Sequence, residues 1–348
     1  MGFTVTLRPS GHQYEVDAGE SVLSCGLRAG FTLPYSCRAG ACKTCKSKVL
    51  KGEVDHGDVL STFLSDEDRR EGYTLLCQAR AKSDLEIEAR ELSGLEGIQR
   101  RIVPCRVVGL DKLAHDVLVL RVRLPMNENM LFVAGQCVDF LLEGGERRTY
   151  SIANAPAAEG VTELEFHLRH LPGGLFTERA FSRMKPRELL KFEGPFGTFF
   201  LREDSDKPMI FVAGGTGFAP IKSILLRAFA RGLHERRPIH LYWGTRTRES
   251  LYMFDMVQEW ADRYRNFKFV PVLSEPTAAC AWTGRTGRVH EAIMDDYADL
   301  SGYQVYACGS PQMIESLRRD VVSARGMDPQ EIFADEFLPA SGGAAAIA

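Results

Sequence analysis

Residues 3–8 and 12–17 alternate apolar and polar positions on either side of Pro9-Ser10-Gly11. A period of two flanking turn-forming residues predicts a β-hairpin. A short helix is expected through residues 21–25, opened by the polar stretch 17–20 and ended by the glycines at 26 and 30. Residues 46–50 read as a further strand and 63–71 as a polar helical piece. Residues 75–79 form an apolar segment, and 85–89 (Leu-Glu-Ile-Glu-Ala) a closing strand. Residues 1–92 are therefore expected to form a small mixed sheet wrapped on one helix.

The pattern then changes twice. Residues 93–101 are polar, include Gly94 and Gly97, and read as a linker. Across 102–205 short alternating strands are expected at 105–108, 117–124, 138–142, 164–168 and 188–192, with glycine and proline between them and no long helical period. That is the pattern of an antiparallel barrel. Across 206–338 continuous apolar runs at 209–213, 239–243, 267–273 and 303–307 alternate with helical stretches such as 220–231. Buried strands alternating with helices predict a doubly wound parallel sheet. Residues 339–348 are small and unpatterned and are expected to be a disordered tail. The fold class is multidomain, α+β followed by α/β.

Composition narrows the possibilities. The 348 residues are 45% hydrophobic and 26% charged, enough for several cores of an ordinary globular protein. A formal net charge of -3 gives no footprint for nucleic acid. No apolar run approaches the roughly 20 residues that span a bilayer, and the amino terminus lacks the apolar block of a signal peptide. A cytoplasmic, non-membrane chain is expected. Nine cysteines are too sparse for a disulfide scaffold.

Four of those cysteines have a specific spacing. Cys37, Cys42 and Cys45 stand at C-x4-C-x2-C, and Cys77 follows later. That is the plant-type ligand pattern of a [2Fe–2S] cluster. The small residues between Cys37 and Cys42 let backbone amides turn toward an anionic core. Four thiolates also suit structural zinc, but zinc sites usually pair two close cysteine knuckles, and Cys77 has no nearby cysteine to form a second. Downstream, Gly214-Gly215-Thr216-Gly217 lies between a buried strand and a helix. Unpaired amides and a positive helix end there suit a phosphate, although the run is not the G-x-G-x-x-G fingerprint.

Further motifs carry a resemblance. Arg148-Thr149-Tyr150-Ser151, Pro172-Gly173-Gly174-Leu175-Phe176-Thr177 and Gly194-Pro195-Phe196-Gly197 occur in the order of the ferredoxin–NADP reductase superfamily, as do the Gly214–Gly217 loop with Pro220, Cys308-Gly309-Ser310-Pro311 and Asp335-Glu336-Phe337. The first 92 residues resemble a plant-type ferredoxin, including Arg38 and Gly40. The chain as a whole resembles the single-chain reductases of bacterial multicomponent ring-hydroxylating oxygenases. Residues 33–37 and 213–222 also resemble the CDP-6-deoxy-glucoseen reductases that serve deoxysugar dehydratases.

The resemblance implies a β-grasp ferredoxin domain (1–92), an FAD-binding barrel (102–205) and an NAD(P)-binding domain (206–338). It implies metal ligation by Cys37, Cys42, Cys45 and Cys77. For FAD it implies Arg148 on the pyrophosphate, Tyr150 against the ring, Ser151 near its reactive nitrogen, and Gly174 and Thr177 at a helix start. Gly215, Thr216, Gly217 and Cys308 would meet the nicotinamide nucleotide, and Arg246 its ribose end, with NADH slightly favoured over NADPH. Ser151, Cys308 and Asp335 are the candidate catalytic residues. A buried core cysteine is the simple alternative for Cys308, and a surface carboxylate the alternative for Asp335. Phe337 would stack on the flavin or pack on the sheet. Electrons would pass from NAD(P)H through FAD and the cluster to a terminal oxygenase component, the chain itself being a monomer. A zinc-stabilised free-flavin reductase is the remaining reading. Arg38, Lys43, Lys46 and Lys48 would concentrate positive charge at the cluster's mouth, there to steer an acidic acceptor.

Overall fold

The computed structural model describes residues 2–95 and 97–337, so the tail expected at 339–348 lies outside the described residues. The chain divides into two compact units, one running to Gly97 and the next beginning at Ile98.

In the first unit the strands are β1 (Phe3–Arg8), β2 (Gln13–Val16), β3 (Lys46–Lys51), β4 (Val54–Asp55), β5 (Tyr73–Leu75), β6 (Arg80–Ala81) and β7 (Leu85–Glu88). The helices are α1 (Val22–Arg28) and α2 (Asp66–Arg70). Five strands form one sheet in the order β2-β1-β7-β3-β5, with β1 and β7 parallel and the rest antiparallel. Val5, Leu7, Val16, Leu85 and Ile87 are the buried alternate positions that face the core. Helix α1 does not end at Gly26 as expected. It continues to Arg28, because Gly26 packs against the Tyr14 ring and Leu33 rather than turning the chain. Cys77 lies in a turn after β5, outside any strand. Ser65 opens α2 in a reciprocal cap with Asp68.

The second unit holds two sheets. The first contains β8 (Arg101–Ala114), β9 (Val117–Arg123), β10 (Cys137–Leu141), β11 (Arg147–Ser151), β12 (Glu163–Arg169) and β13 (Leu189–Phe196), with α3 (Leu175–Ser182) between the last two strands. Its order is β11-β10-β13-β8-β9-β12, all antiparallel. A bridge between Ile152 and Phe166 joins the two edges and closes the sheet into a barrel. Strand β8 is far longer than the expected 105–108. It runs through Pro104, which pairs with Lys191, and over a bulge beside Gly109. Its first residue, Arg101, falls inside the expected linker.

The other sheet is wholly parallel, in the order β17-β16-β15-β14-β18-β19. Its strands are β14 (Met209–Gly214), β15 (Ile239–Thr245), β16 (Phe267–Leu273), β17 (Arg285–Thr286), β18 (Gln304–Gly309) and β19 (Ile332–Glu336). Its helices are α4 (Phe218–Ala230), α5 (Leu233–Arg236), α6 (Phe254–Arg263), α7 (Val289–Asp296) and α8 (Pro311–Arg325). The chain order reverses at β14, which lies between β15 and β18. In such sheets ligands bind outside the carboxyl ends at that point. The expected class, α+β followed by α/β, is the observed one.

Candidate functional site

Around the first four cysteines the backbone turns with Arg38, Gly40 and Lys43 at φ of 55°, 75° and 57°. Gly40 is required here, since a Cβ on it would lie 2.8 Å from the Gln78 side chain. The turn aims amides at sulfur. Ala39 and Ala41 N–H donate to Cys37 Sγ at 3.4 Å, and Cys37 N–H to Cys42 Sγ at 3.5 Å. The Gly40 amide donates to Cys77 Sγ. Gln78 Nε2 donates to the Arg38 carbonyl at 3.2 Å and reaches Cys77 Sγ at 3.8 Å, tying the last cysteine to the loop.

The thiols associate two by two. Cys42 donates to Cys37, which brings the Cys37 thiol down to about 7 against its burial and pushes the Cys42 thiol up. Cys45 donates to Cys77, lowering Cys77 and raising Cys45. Amides aimed at sulfur around a C-x4-C-x2-C loop suit an anionic iron–sulfur core better than one tetrahedral zinc. The donor set therefore fits a [2Fe–2S] cluster.

Charge at this mouth is smaller than expected. Lys46 Nζ pairs with Asp68 and lies 4.6 Å from the centre of the Tyr73 ring, where Lys48 also stands at 5.6 Å. Asp68 thus cancels the Lys46 share of the expected positive patch.

In the second unit the Arg148–Ser151 segment lies within strand β11, paired with β10. Tyr150 packs 5.3 Å from Phe176 of α3, which brings two of the motifs together. Burial pushes its hydroxyl pKa up, so it stays protonated. Arg148 donates to Glu146 Oε2 and the Arg147 carbonyl, both at 2.7 Å. Ser151 is buried opposite Cys137. Gly174 is the amino-terminal cap of α3. The Thr177 hydroxyl is engaged within its own loop. Leu171 N–H donates to Thr177 Oγ1, and the hydroxyl donates to the Leu171 carbonyl, each at 3.2 Å. The free amides at the start of α3 remain the anion-binding feature.

At the carboxyl end of β14 the backbone turns through Gly215, Thr216 and Gly217 into α4. Gly217 sits so close to β18 that a Cβ would lie 2.1 Å from the Cys308 carbonyl oxygen. Cys308 is fully buried, and burial and then the Asp335 carboxylate push its thiol up. Asp335 stands beside it in register on β19, so these two candidates meet. Phe337 N–H donates to the Gly309 carbonyl at 2.9 Å, and its ring packs on the apolar core of the parallel sheet.

Arg246 stands apart from these residues, at the tip of β15. Its Nε lies 3.9 Å from Glu275 Oε1, and its carbonyl accepts from the Glu275 amide at 2.9 Å. Sequence reading missed Glu275 and Gln78, and it also missed a polar cluster of Glu165, Lys222 and Tyr252 around His167. Each of these, except Gln78 beside Cys77, depends on a partner remote in the chain. The glycine-lined turns and helix starts suit a dinucleotide and a nicotinamide nucleotide. No helix among the described residues is long and apolar enough to cross a membrane.

Comparison with known proteins agrees with this arrangement. Residues 5–82 match the family described as 2Fe-2S iron-sulfur cluster binding domain. Residues 104–201 match the oxidoreductase FAD-binding domain, and 211–319 the oxidoreductase NAD-binding domain. A CDP-6-deoxy-L-threo-D-glycero-4-hexulose-3-dehydrase reductase from Yersinia pestis is 39% identical over 97% of this chain and 99% of its own. The reductase component 1 of a terephthalate 1,2-dioxygenase from Comamonas is 34% identical over 97% and 98%. The crystal structure of the Amycolatopsis cytochrome P450 reductase GcoB superposes with a TM-score of 0.77 at 35% identity, over 97% of this chain and all of that one.

Proposed function

We propose, from the premise that this chain belongs to the reductases that join a 2Fe-2S domain to FAD- and NAD-binding oxidoreductase domains, that it delivers electrons singly to the terminal component of an oxygenase. The chain is an NAD(P)H-dependent electron-transfer oxidoreductase. The loop that turns its amides and Gln78 toward the sulfurs of Cys37, Cys42 and Cys77 carries the proposal, because a two-iron centre as the last carrier suits an acceptor that takes one electron at a time. When bound, FAD accepts a hydride as two electrons and releases them one by one, which links nicotinamide to cluster.

The residues divide the work. Cys37 and Cys42 would hold one iron, Cys45 and Cys77 the other, with amides of Cys37, Ala39, Gly40 and Ala41 easing their negative charge. The free amides of α3 and Arg148 would take the pyrophosphate, and Tyr150 and Ser151 would border the ring. Thr216 and Gly217 would seat the nicotinamide nucleotide, with Cys308 held as a neutral thiol beside Asp335. Arg246 and Glu275 together would meet the adenosine ribose, a carboxylate suiting the diol of NADH. We place the chain in the cytoplasm as a monomer, its thiols reduced.

A deoxysugar dehydratase is the second reading for the acceptor, favoured by the 39% identity across the full length of the Yersinia reductase. Reconstitution with a dioxygenase component and, separately, with a sugar dehydratase separates the two. Turnover with the oxygenase alone is the expected result, and turnover with the dehydratase alone assigns the second reading.

Arg148→Ala is expected to weaken FAD retention. A hydrogen bond to a charged group is worth about 1.5–3 kcal/mol, or about 10- to 150-fold in affinity. Flavin content after gel filtration, and titration of the apoprotein, measure the change. Unaltered affinity would remove Arg148 from the flavin site.

A further inference from the structure

Strand β12 sends alternate side chains to opposite sides. Leu164, Phe166 and Leu168 enter the barrel core, so Glu165, His167 and Arg169 face the other way. There they meet the nucleotide-binding half. Lys222 of α4, itself buried, donates to Glu165 Oε1 at 2.8 Å and to the Ala153 carbonyl at 3.3 Å. His167, its side chain wholly buried, bonds Glu165 Oε1 through Nε2 at 2.9 Å and the Tyr252 hydroxyl through Nδ1 at 2.7 Å.

Donor and acceptor roles follow from charge. Burial raises the Glu165 carboxyl, but His167 and Lys222 outweigh it and hold it at about 2, so it is ionised and only accepts. Burial lowers His167, so its ring is neutral. Nε2–H then donates to Glu165, and Nδ1 accepts from Tyr252. The chain of donors runs from Tyr252 through His167 to Glu165, where Lys222 converges from the other side. Every member has one orientation.

The same face is tied again next door. Ser223 Oγ donates to the Asn154 carbonyl at 2.7 Å. The Asn154 side chain receives the Glu165 amide at 3.0 Å and donates to the Glu163 carbonyl at 3.1 Å. Ala153 and Asn154 lie just beyond Tyr150 and Ser151, and α4 begins just beyond Gly215–Gly217. One turn of α4 therefore grips the backbone that follows the flavin motif, and the helix start carries the nicotinamide loop. Tyr252 adds the segment after the tip at Arg246.

Stability alone does not call for a buried ion pair, which apolar residues of similar volume often replace at no cost. Direction is what it supplies. We propose that Lys222, Glu165, His167 and Tyr252 form a registration cluster that sets the spacing between the flavin-binding and nicotinamide-binding motifs, with Lys222 and Glu165 as positioning residues for hydride transfer. This rests on the reading of those two motifs given above. Misplacement by about 1 Å lowers such rates about 100-fold while leaving the binding contacts in place.

Holoenzyme carrying Lys222→Met tests this. Stopped-flow reduction of the flavin at saturating NADH is expected to slow about 10- to 100-fold, with KM for NADH and flavin content within about twofold of wild type, since neither motif is removed. Amide hydrogen exchange should quicken together at residues 152–154 and 214–218, and Lys222→Arg should recover most of the rate. Equal loss of flavin content and rate would overturn the proposal in favour of a purely structural role, as would a wild-type rate. If Lys222→Met does not fold, Glu165→Gln conserves volume and carries the same test: a slowed flavin reduction supports registration, and an unchanged one ends it. Failure of the motif assignment itself reads differently, as wild-type flavin and nucleotide affinities in Arg148→Ala and Gly217→Ala.

Discussion

Cys42→Ser or Cys77→Ser is expected to abolish the visible iron–sulfur absorption and reduce electron delivery to the protein acceptor to background. NAD(P)H-driven reduction of a small dye should keep most of its rate. The cysteines lie in the unit ending at Gly97, whereas both nucleotide-binding motifs lie in the unit beginning at Ile98. A serine hydroxyl is far harder to deprotonate than a thiol and is a much poorer ligand to iron, so each variant leaves one position of the ligand set weakly filled. Spectra and dye turnover on the same preparations check both halves of the statement. Dye reduction lost while flavin stayed bound would reverse the proposed order of carriers, and a wild-type spectrum with flavin bands alone would return the zinc reading.

Gly217→Ala is the second large effect. The added methyl would stand 2.1 Å from the Cys308 carbonyl oxygen, with the Gly309 amide nitrogen at 3.0 Å. Both neighbours are backbone of a central strand, so neither can swing aside as a side chain would. Overpacking in a tight interior costs about 1–3 kcal/mol and occasionally more, and this site belongs at the upper end. Moving the loop off β18 also displaces the proposed nicotinamide seat, at about 100-fold in kcat/KM per 1 Å. Thermal unfolding measures the first consequence, and steady-state kinetics with a dye the second. A variant matching wild type in both would mean that the loop and β18 do not approach as described.

Much of this architecture could be read in the sequence because its signals are local. Ligands to one inorganic group must stand at short, particular spacings, so Cys37, Cys42 and Cys45 announce themselves. Loops that approach a phosphate need glycine beside a strand and a helix start, so Gly214–Gly217 does too. What escaped depends on residues far apart. Lys222 and Glu165 are 57 positions apart, and His167 and Tyr252 are 85. No periodicity marks such a pair, and each residue alone passes for a solvated or core position. Lys46 reads as free charge until folding brings Asp68 to it. Strand β8 reads as shorter in the sequence for a related reason: Pro104 and Gly109 interrupt strands in general, yet here one pairs across the sheet and the other accompanies a bulge. Arg148-Thr149-Tyr150-Ser151 is absent from the expected strands because three of its four side chains are polar, which hides the strand they occupy.

The loop ahead of α3 is held by Thr177 on both backbone groups of Leu171 and by the Gly174 amide on the Leu171 carbonyl. Fixing a free backbone residue costs about 1–2 kcal/mol, and here that loss of entropy falls in folding, before any dinucleotide arrives. Affinity for the cofactor is then not eroded by an ordering step. An apoprotein stripped of flavin would keep a receptive surface, so its reloading is a matter of collision and its lifetime a matter of how slowly the cofactor departs.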